Sequence, residues 1–191
     1  MKVKLEGIIQ EIYLLPHEVL NEVLGHFQHL EYPKNYFLLK SGNPCQHIWV
    51  MTKGAVRSFY TNDQGKEMNT WFSLDTQIIT ETTSFVKQEP AIESIHLLED
   101  SELYAIDHSS IQNLLHKHHI FALWYIKLFE VHYISQIEDR MTDLQFLDAK
   151  QRYQKLLSLY PDITNRISLG NIASYLNITQ ETLSRIRASK L

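Results

Sequence analysis

The sequence predicts an α+β protein: a β-rich sandwich or barrel with flanking helices, one long apolar helix, and a C-terminal helix-turn-helix. Three observations predict it. Residues 167–187 spell two short, separately capped helices. Residues of about 30–107 break into short segments rich in Tyr, Phe, Trp, Val, Ile and Thr. Residues 119–144 carry a wide apolar stripe at helical spacing.

At the N-terminus, Leu5, Ile8, Ile9 and Ile12, then Val19, Leu20, Val23 and Leu24, recur at helical spacing over 5–29, with Pro16 between two segments. Strand-like segments follow at 36–39, 48–52, 55–61, 67–73, 92–98 and 103–106. Gly42 with Pro44, Gly54 and Asn62-Asp63-Gln64-Gly65 mark the turns. Helical pattern resumes from Ser109 to about Asp143 and again over 146–159, where Pro161 ends it. Phe121, Trp124, Leu128, Val131, Ile134, Ile137, Met141 and Leu144 follow three-and-four spacing with an irregular step at 131–137. Tyr125, Phe129 and Tyr133 add a second apolar edge. A stripe this wide can serve two surfaces, its own core and a partner helix, so Phe121, Trp124, Leu128, Val131, Ile134, Ile137 and Met141 are expected at a two-fold dimer interface. One intramolecular core using all of it is the alternative.

At the C-terminus, Ser168 and Thr179 are N-caps, each with an isoleucine just before it and an apolar residue four positions inside. Asn177 stands where a left-handed turn residue is wanted, and Ala173 is small where two helices would cross. On the second helix Gln180, Glu181, Ser184 and Arg185 lie opposite Leu183 and Ile186. Arg suits guanine, Glu accepts from cytosine, and Gln suits adenine. Thr179 and Thr182 stand at the dipole-favoured helix start, where phosphates bind. With Ser168 and Arg187 these residues form the candidate DNA-contacting set.

The 191-residue chain has a net charge of −4, one cysteine and ten histidines. Residues 161–191 hold four basic and two acidic side chains, a net +2, which leaves −6 for the rest. A mildly basic end on an acidic body is compatible with nucleic-acid binding of modest non-specific affinity. One cysteine excludes an internal disulfide and a multi-cysteine metal site, and fits a reducing cytoplasm. The first residues alternate charged and apolar types, so no signal peptide is expected, and no apolar run approaches membrane-spanning length.

Helical start, short strands, long helix and terminal helix-turn-helix follow one another here in the order that marks the Crp/Fnr family of bacterial transcription factors, which the chain resembles over nearly its whole length. Lys40-x-Gly42, Gly54 after 49–53 and Gly65-Lys66-Glu67-Met68 resemble the glycine-marked turns of that family's β-roll, a double-stranded β-helix of the cyclic-nucleotide-binding type. Glu81 with Phe85 resembles its effector loop, Glu99-Asp100 its last roll strands, and 179–186 its recognition helix, with Glu181 and Arg185 at base-reading positions. The chain is similar to short Bacteroidetes members of the family. The resemblance implies a homodimeric, cytoplasmic, sequence-specific regulator and not an enzyme. It implies three partners: double-stranded DNA at a near-palindromic operator, a small-molecule effector, and RNA polymerase. No membrane partner and no cofactor are expected. The implied divisions are 1–118 (roll), 119–144 (dimerisation helix) and 145–191 (DNA-binding).

The sequence departs from the family pattern twice. Cyclic-nucleotide binders use Gly-Glu and then Arg-Ser to cradle the cyclic phosphate. Residues 78–95 contain no Gly and no Arg, and their charges are Glu81, Glu89 and Glu93 against Lys87. An anion would meet net negative charge. The candidate effector residues, Thr80, Glu81, Thr82, Thr83, Ser84, Ile92, Glu93 and Ser94, suit a neutral or cationic ligand better. The second departure is the wing that many members place after the recognition helix. Only Ala188, Ser189, Lys190 and Leu191 follow here, so a truncated winged-helix with fewer phosphate contacts is expected. No metal site is expected: of the clustered His116, His118 and His119, only His116 and His119 share a face, two histidines without a third ligand, and no His-x-His stands on a strand. A metal-dependent, cupin-like enzyme and a protein-binding module remain the alternatives.

Overall fold

The computed structural model describes residues 2–189, with the side chains of Lys2, Val3, Val131, His132, Ser135 and Gln136 outside the description. Lys190 falls outside the described residues.

Two helices open the chain, α1 (Lys2–Ile12) and α2 (His17–Gly25). Eight strands follow: β1 (Gln28–Tyr32), β2 (Phe37–Leu39), β3 (His47–Lys53), β4 (Val56–Thr61), β5 (Glu67–Ser73), β6 (Gln77–Ile79), β7 (Ser94–Leu97) and β8 (Ser101–Asp107). A short helix, α3 (Thr82–Lys87), stands between β6 and β7. The strands form two antiparallel four-stranded sheets, ordered β1-β8-β3-β6 and β2-β7-β4-β5. Sequence patterning misses β1, β6 and α3. The first helical region ends at Gly25, because Gln28–Tyr32 pairs antiparallel with β8, Leu30 opposite Leu103. β3 is buried along nearly its whole length. Ile48, Val50 and Met51 share one core with Leu5 and Ile9 of α1, so the strand is covered on both faces. Gly54 ends β3 at φ 130°, where a side chain would collide with Ser101.

The roll leads into α4 (His108–Lys117) and α5 (His119–Phe129), a π-helical turn (Glu130–Ile134) and α6 (Ser135–Phe146). The long helix foreseen from residue 109 therefore breaks at His118, whose extended backbone (φ −128°, ψ 106°) separates α4 from α5. The apolar stripe is divided into a buried and an exposed part. Phe121, Trp124 and Leu128 are at most 3% exposed and face the chain's own core. Trp124 Nε1 donates to Ile9 O of α1 at 2.7 Å. Past the π-turn, Ile134 is 52% exposed, Ile137 39% and Met141 65%. A π-turn holds one residue more than an α-turn, so it shifts which residues face inward. The side chain of Val131 lies outside the description.

After α7 (Ala149–Leu159), capped by a reciprocal Asp148–Gln151 box, come α8 (Ile163–Arg166), α9 (Leu169–Tyr175) and α10 (Gln180–Ala188). Ser168 caps α9 by accepting from Asn171 N, and Thr179 caps α10 by accepting from Thr182 N. Between them Asn177 takes φ 54°. Ile178 N donates to Ala173 O at 3.0 Å and Asn177 N to Ser174 O at 3.1 Å. Those two bonds close a Schellman turn, which sets the tight angle between the helices.

Candidate nucleic-acid interface and adjoining cavity

Helix α10 is held from behind and open in front. Leu183 is fully buried and Ile186 packs beside it. Gln180, Glu181, Ser184, Arg185 and Arg187 are exposed, as are the caps Ser168 and Thr179, while Thr182 is half-buried. Arg185 Nη2 sits 3.4 Å from Glu181 Oε1 across one turn. Both side chains are largely exposed, so the pair is worth roughly 0–1 kcal/mol and yields easily to another partner.

The face that supports α10 rests on the roll. Asn69 of β5 donates through Nδ2 to Asn171 O at 3.0 Å, and its backbone N donates to Ser174 Oγ at 3.0 Å. Arg57 of β4 is buried; its guanidinium pairs with Glu67 at 2.6 Å and donates to Asn69 Oδ1 at 3.2 Å and Asn171 Oδ1 at 3.3 Å. Arg166 pairs with Glu99 at 2.7 Å and Asp75 at 2.9 Å, and donates to Gly54 O at 2.8 Å. These carboxylates hold the guanidinium in its charged form. Phe72 and Tyr175 meet with ring centroids 5.1 Å apart. None of these contacts uses a candidate base-reading residue, so docking on the roll leaves the polar front of α10 free.

A cavity of about 280 Å³ opens between the roll and the long helix. The roll supplies hydroxyls from Ser58, Thr70, Ser73, Thr80 and Thr82, the carboxyls of Glu81 and Glu93, and the faces of Trp71, Ile78 and Ile79. The long helix supplies Leu128, Phe129, Tyr133, Ile137, Arg140 and Met141. Four of the sequence-predicted effector residues therefore meet here: Thr80, Glu81, Thr82 and Glu93. Thr83 and Ile92 are exposed away from the lining. Ser84 is buried, accepting from Cys45 N and donating to Glu89 O. Ser94 accepts from Ser41 N at 3.0 Å. Both serines hold the turns around the cavity. Glu81 also caps α3 by accepting from Ser84 N at 2.5 Å.

Burial pushes the Glu93 carboxyl above its usual range, and the neighbouring Glu81 pushes the same way. The Thr70 hydroxyl works against burial, favouring the charged form more strongly than Glu81 disfavours it. Arg140 faces two ways. It lines the cavity, yet its Nη2 donates to Tyr175 O of α9 at 2.5 Å and its guanidinium stacks 3.8 Å from the Tyr175 ring. Sequence patterning missed Arg140, Trp71 and Tyr133 as cavity residues, because only the fold brings β5 and the long helix together.

Among the described residues, no three His, Cys, Asp or Glu side chains gather as a metal site. His118 bonds Glu22 at 3.0 Å, and His116 bonds a carbonyl of its own helix. His47 and His96 lie on different sheets. Burial pushes the lone Cys45 thiol up, which disfavours the thiolate. No helix among the described residues is long and apolar enough to cross a membrane.

Residues 29–118 match the cyclic nucleotide-binding domain family. No curated protein matches the chain. Among solved structures, FixK2 of Bradyrhizobium japonicum superposes with a TM-score of 0.71 at 17% identity, covering 85% of this chain and 83% of that one. The c-di-GMP-responsive global regulator CLP of Xanthomonas campestris gives 0.69 at 17% identity, covering 91% and 90%. A crp/fnr-family transcriptional regulator of Eubacterium rectale gives 0.71 at 14% identity, covering 90% and 82%.

Proposed function

We propose that this chain, whose residues 29–118 match the cyclic nucleotide-binding domain family and whose fold is similar to FixK2, CLP and a crp/fnr-family regulator, is a dimeric, sequence-specific, double-stranded-DNA-binding transcription regulator. The observation that carries this reading is α10: capped, locked from behind by Leu183, and presenting an unobstructed polar front. Gln180, Glu181 and Arg185 meet base edges in the major groove, while Ser168, Thr179, Thr182, Ser184 and Arg187 meet the backbone. Two copies pair along the exposed seam of Ile134, Ile137 and Met141. Their recognition helices then enter successive major grooves about 34 Å apart on a near-palindromic operator. Phe121, Trp124 and Leu128 support that seam from within each subunit. The cavity against the long helix is the effector site, and its two carboxyls argue against a cyclic phosphate. RNA polymerase is the further partner of such a regulator, and the cytoplasm is its compartment.

The test is enrichment of fragmented genomic DNA by the purified protein without added ligand, repeated with Arg185→Ala. A two-fold symmetric motif is expected. The substitution is expected to cost roughly 1–3 kcal/mol in specific binding and to relax specificity at one base position per half-site. A protein-binding module would leave DNA affinity unchanged by Arg185→Ala, and that outcome would overturn the proposal.

A further inference from the structure

Taking the cavity as the effector site, we propose that its ligand is a small organic amine, with a protonated amino group on an aromatic or branched aliphatic body. The walls divide by chemistry. On the roll side stand Glu81 and Glu93, and among the described residues no cation pairs with either. On the helix side stand Leu128, Phe129 and Ile137, with Trp71 of the roll extending the apolar surface. An ammonium supplies the charge that the two carboxyls lack, and its body covers the apolar wall. Trp71 and Phe129 place aromatic rings in the lining, a type of side chain that attracts a cation. The Thr70 hydroxyl beside Glu93 adds a further polar group to the roll side.

Size and charge both restrict the class. A cavity of about 280 Å³ lies just below the ~300–1,000 Å³ typical of small-molecule sites. Arg140 is the cation of the lining and the anchor an anion would need. It is already committed to the carbonyl and ring of Tyr175, so an anionic ligand would have to draw it off α9 while approaching two carboxyls. An amine leaves that bond in place. The same bond ties the cavity wall to the helix-turn-helix, so occupancy of the cavity has a short path to α10.

The test uses three matched probes on the full chain by calorimetric titration: 2-phenylethylamine, the neutral 2-phenylethanol and the anionic 3-phenylpropionate. The amine is expected to bind at least about tenfold tighter than the alcohol, and the propionate more weakly still. Glu93→Gln is expected to lower amine affinity about tenfold while leaving that of the alcohol unchanged. Glu81→Gln, whose amide oxygen still caps α3, is the second variant and should act in the same direction. A thermal melt of each variant confirms that it is folded. No binding by any probe, propionate binding as tight as the amine, or amine affinity untouched by both variants would overturn the proposal. Binding of the same protein to its enriched genomic sites separates this from the regulator reading. DNA binding without amine binding removes the ligand class alone, and amine binding without DNA binding removes the regulator alone.

Discussion

The core inside the roll and the core beneath the helix-turn-helix differ in where their residues come from. The roll core draws on the strands, on α1, α2 and α4, and on α5 as far as Leu128, and among the described residues nothing buried in it lies beyond that point. The second core is built on Tyr153, Leu156, Ile163, Ile167, Ile172, Ala173, Leu176 and Leu183, but Ala55, Phe72 and Leu74 of the roll complete it. Helices as short as α8, α9 and α10 have little stability of their own and depend on packing. The roll lends them a third layer, and the Asn69, Arg57 and Arg166 bonds fix its position. The asymmetry teaches a direction of dependence: the roll closes without the helix-turn-helix, while the helix-turn-helix closes only on the roll. Two regions joined this way pass changes in position to each other through packed contacts rather than through a loose linker.

The largest expected effect comes from attacking the self-contained core. Trp124 is 1% exposed, stacks on Phe121 with centroids 5.2 Å apart, and donates to Ile9 O. Trp124→Ala leaves a cavity and an unmatched carbonyl, and should cost about 3–5 kcal/mol. Because the second core leans on the roll, both should be lost together in one urea transition. A helix-turn-helix that stays protected from hydrogen exchange after the roll has melted would break the comparison.

An intermediate effect comes from cutting the link. Arg166→Ala removes the pairs to Glu99 and Asp75 and the bond to Gly54 O, leaving two carboxylates facing each other. Both carboxylates are partly exposed, so solvent screening holds the cost to roughly 1–3 kcal/mol. Faster amide exchange should be confined to residues 149–189, with the roll unchanged. Uniform loss of protection would mean that the two cores are one.

How much of this was legible in the sequence follows the same division. The helix-turn-helix was readable almost residue by residue, because caps, staples and the left-handed turn at Asn177 are local signals. Six strand segments were readable from β-branched and aromatic runs, and 67–73 coincides with β5. β1 was missed because Gln28, His29 and Glu31 give it a polar reading, and only pairing with β8 makes it a strand. The long helix read as one stripe because periodicity cannot tell a residue buried in its own core from one awaiting a partner. That distinction needed α1 and the π-turn. In the cavity, Thr80, Glu81, Thr82 and Glu93 were named from the stretch where the family pattern breaks. Thr83, Ser84, Ile92 and Ser94 are sequence neighbours that the local backbone turns elsewhere. Arg140 and Trp71 carried no local signal, because each acquires its place only when distant segments meet.

The smallest effect probes the cavity between the roll and the long helix and is a matter of pH. Glu93 faces Glu81 on the roll and Arg140 and Tyr133 on the long helix, and its carboxyl titrates above the ordinary value of 4.5. Between that value and the raised one, the folded protein holds a proton that the unfolded chain has released. Stability therefore falls as pH rises through this window, and the penalty is fully present above it. Glu93→Gln removes the penalty. The variant should match the parent at a pH below 4.5 and exceed it at neutral pH, with a flatter melting profile between. Since Glu93 stands on the roll side of the cavity, the gain should appear as slower exchange in the roll, with the local opening of residues 149–189 as it was. A parent whose stability rises with pH across the same range, or a variant no flatter than the parent, would mean that Glu93 is solvated and ionised like any surface carboxylate.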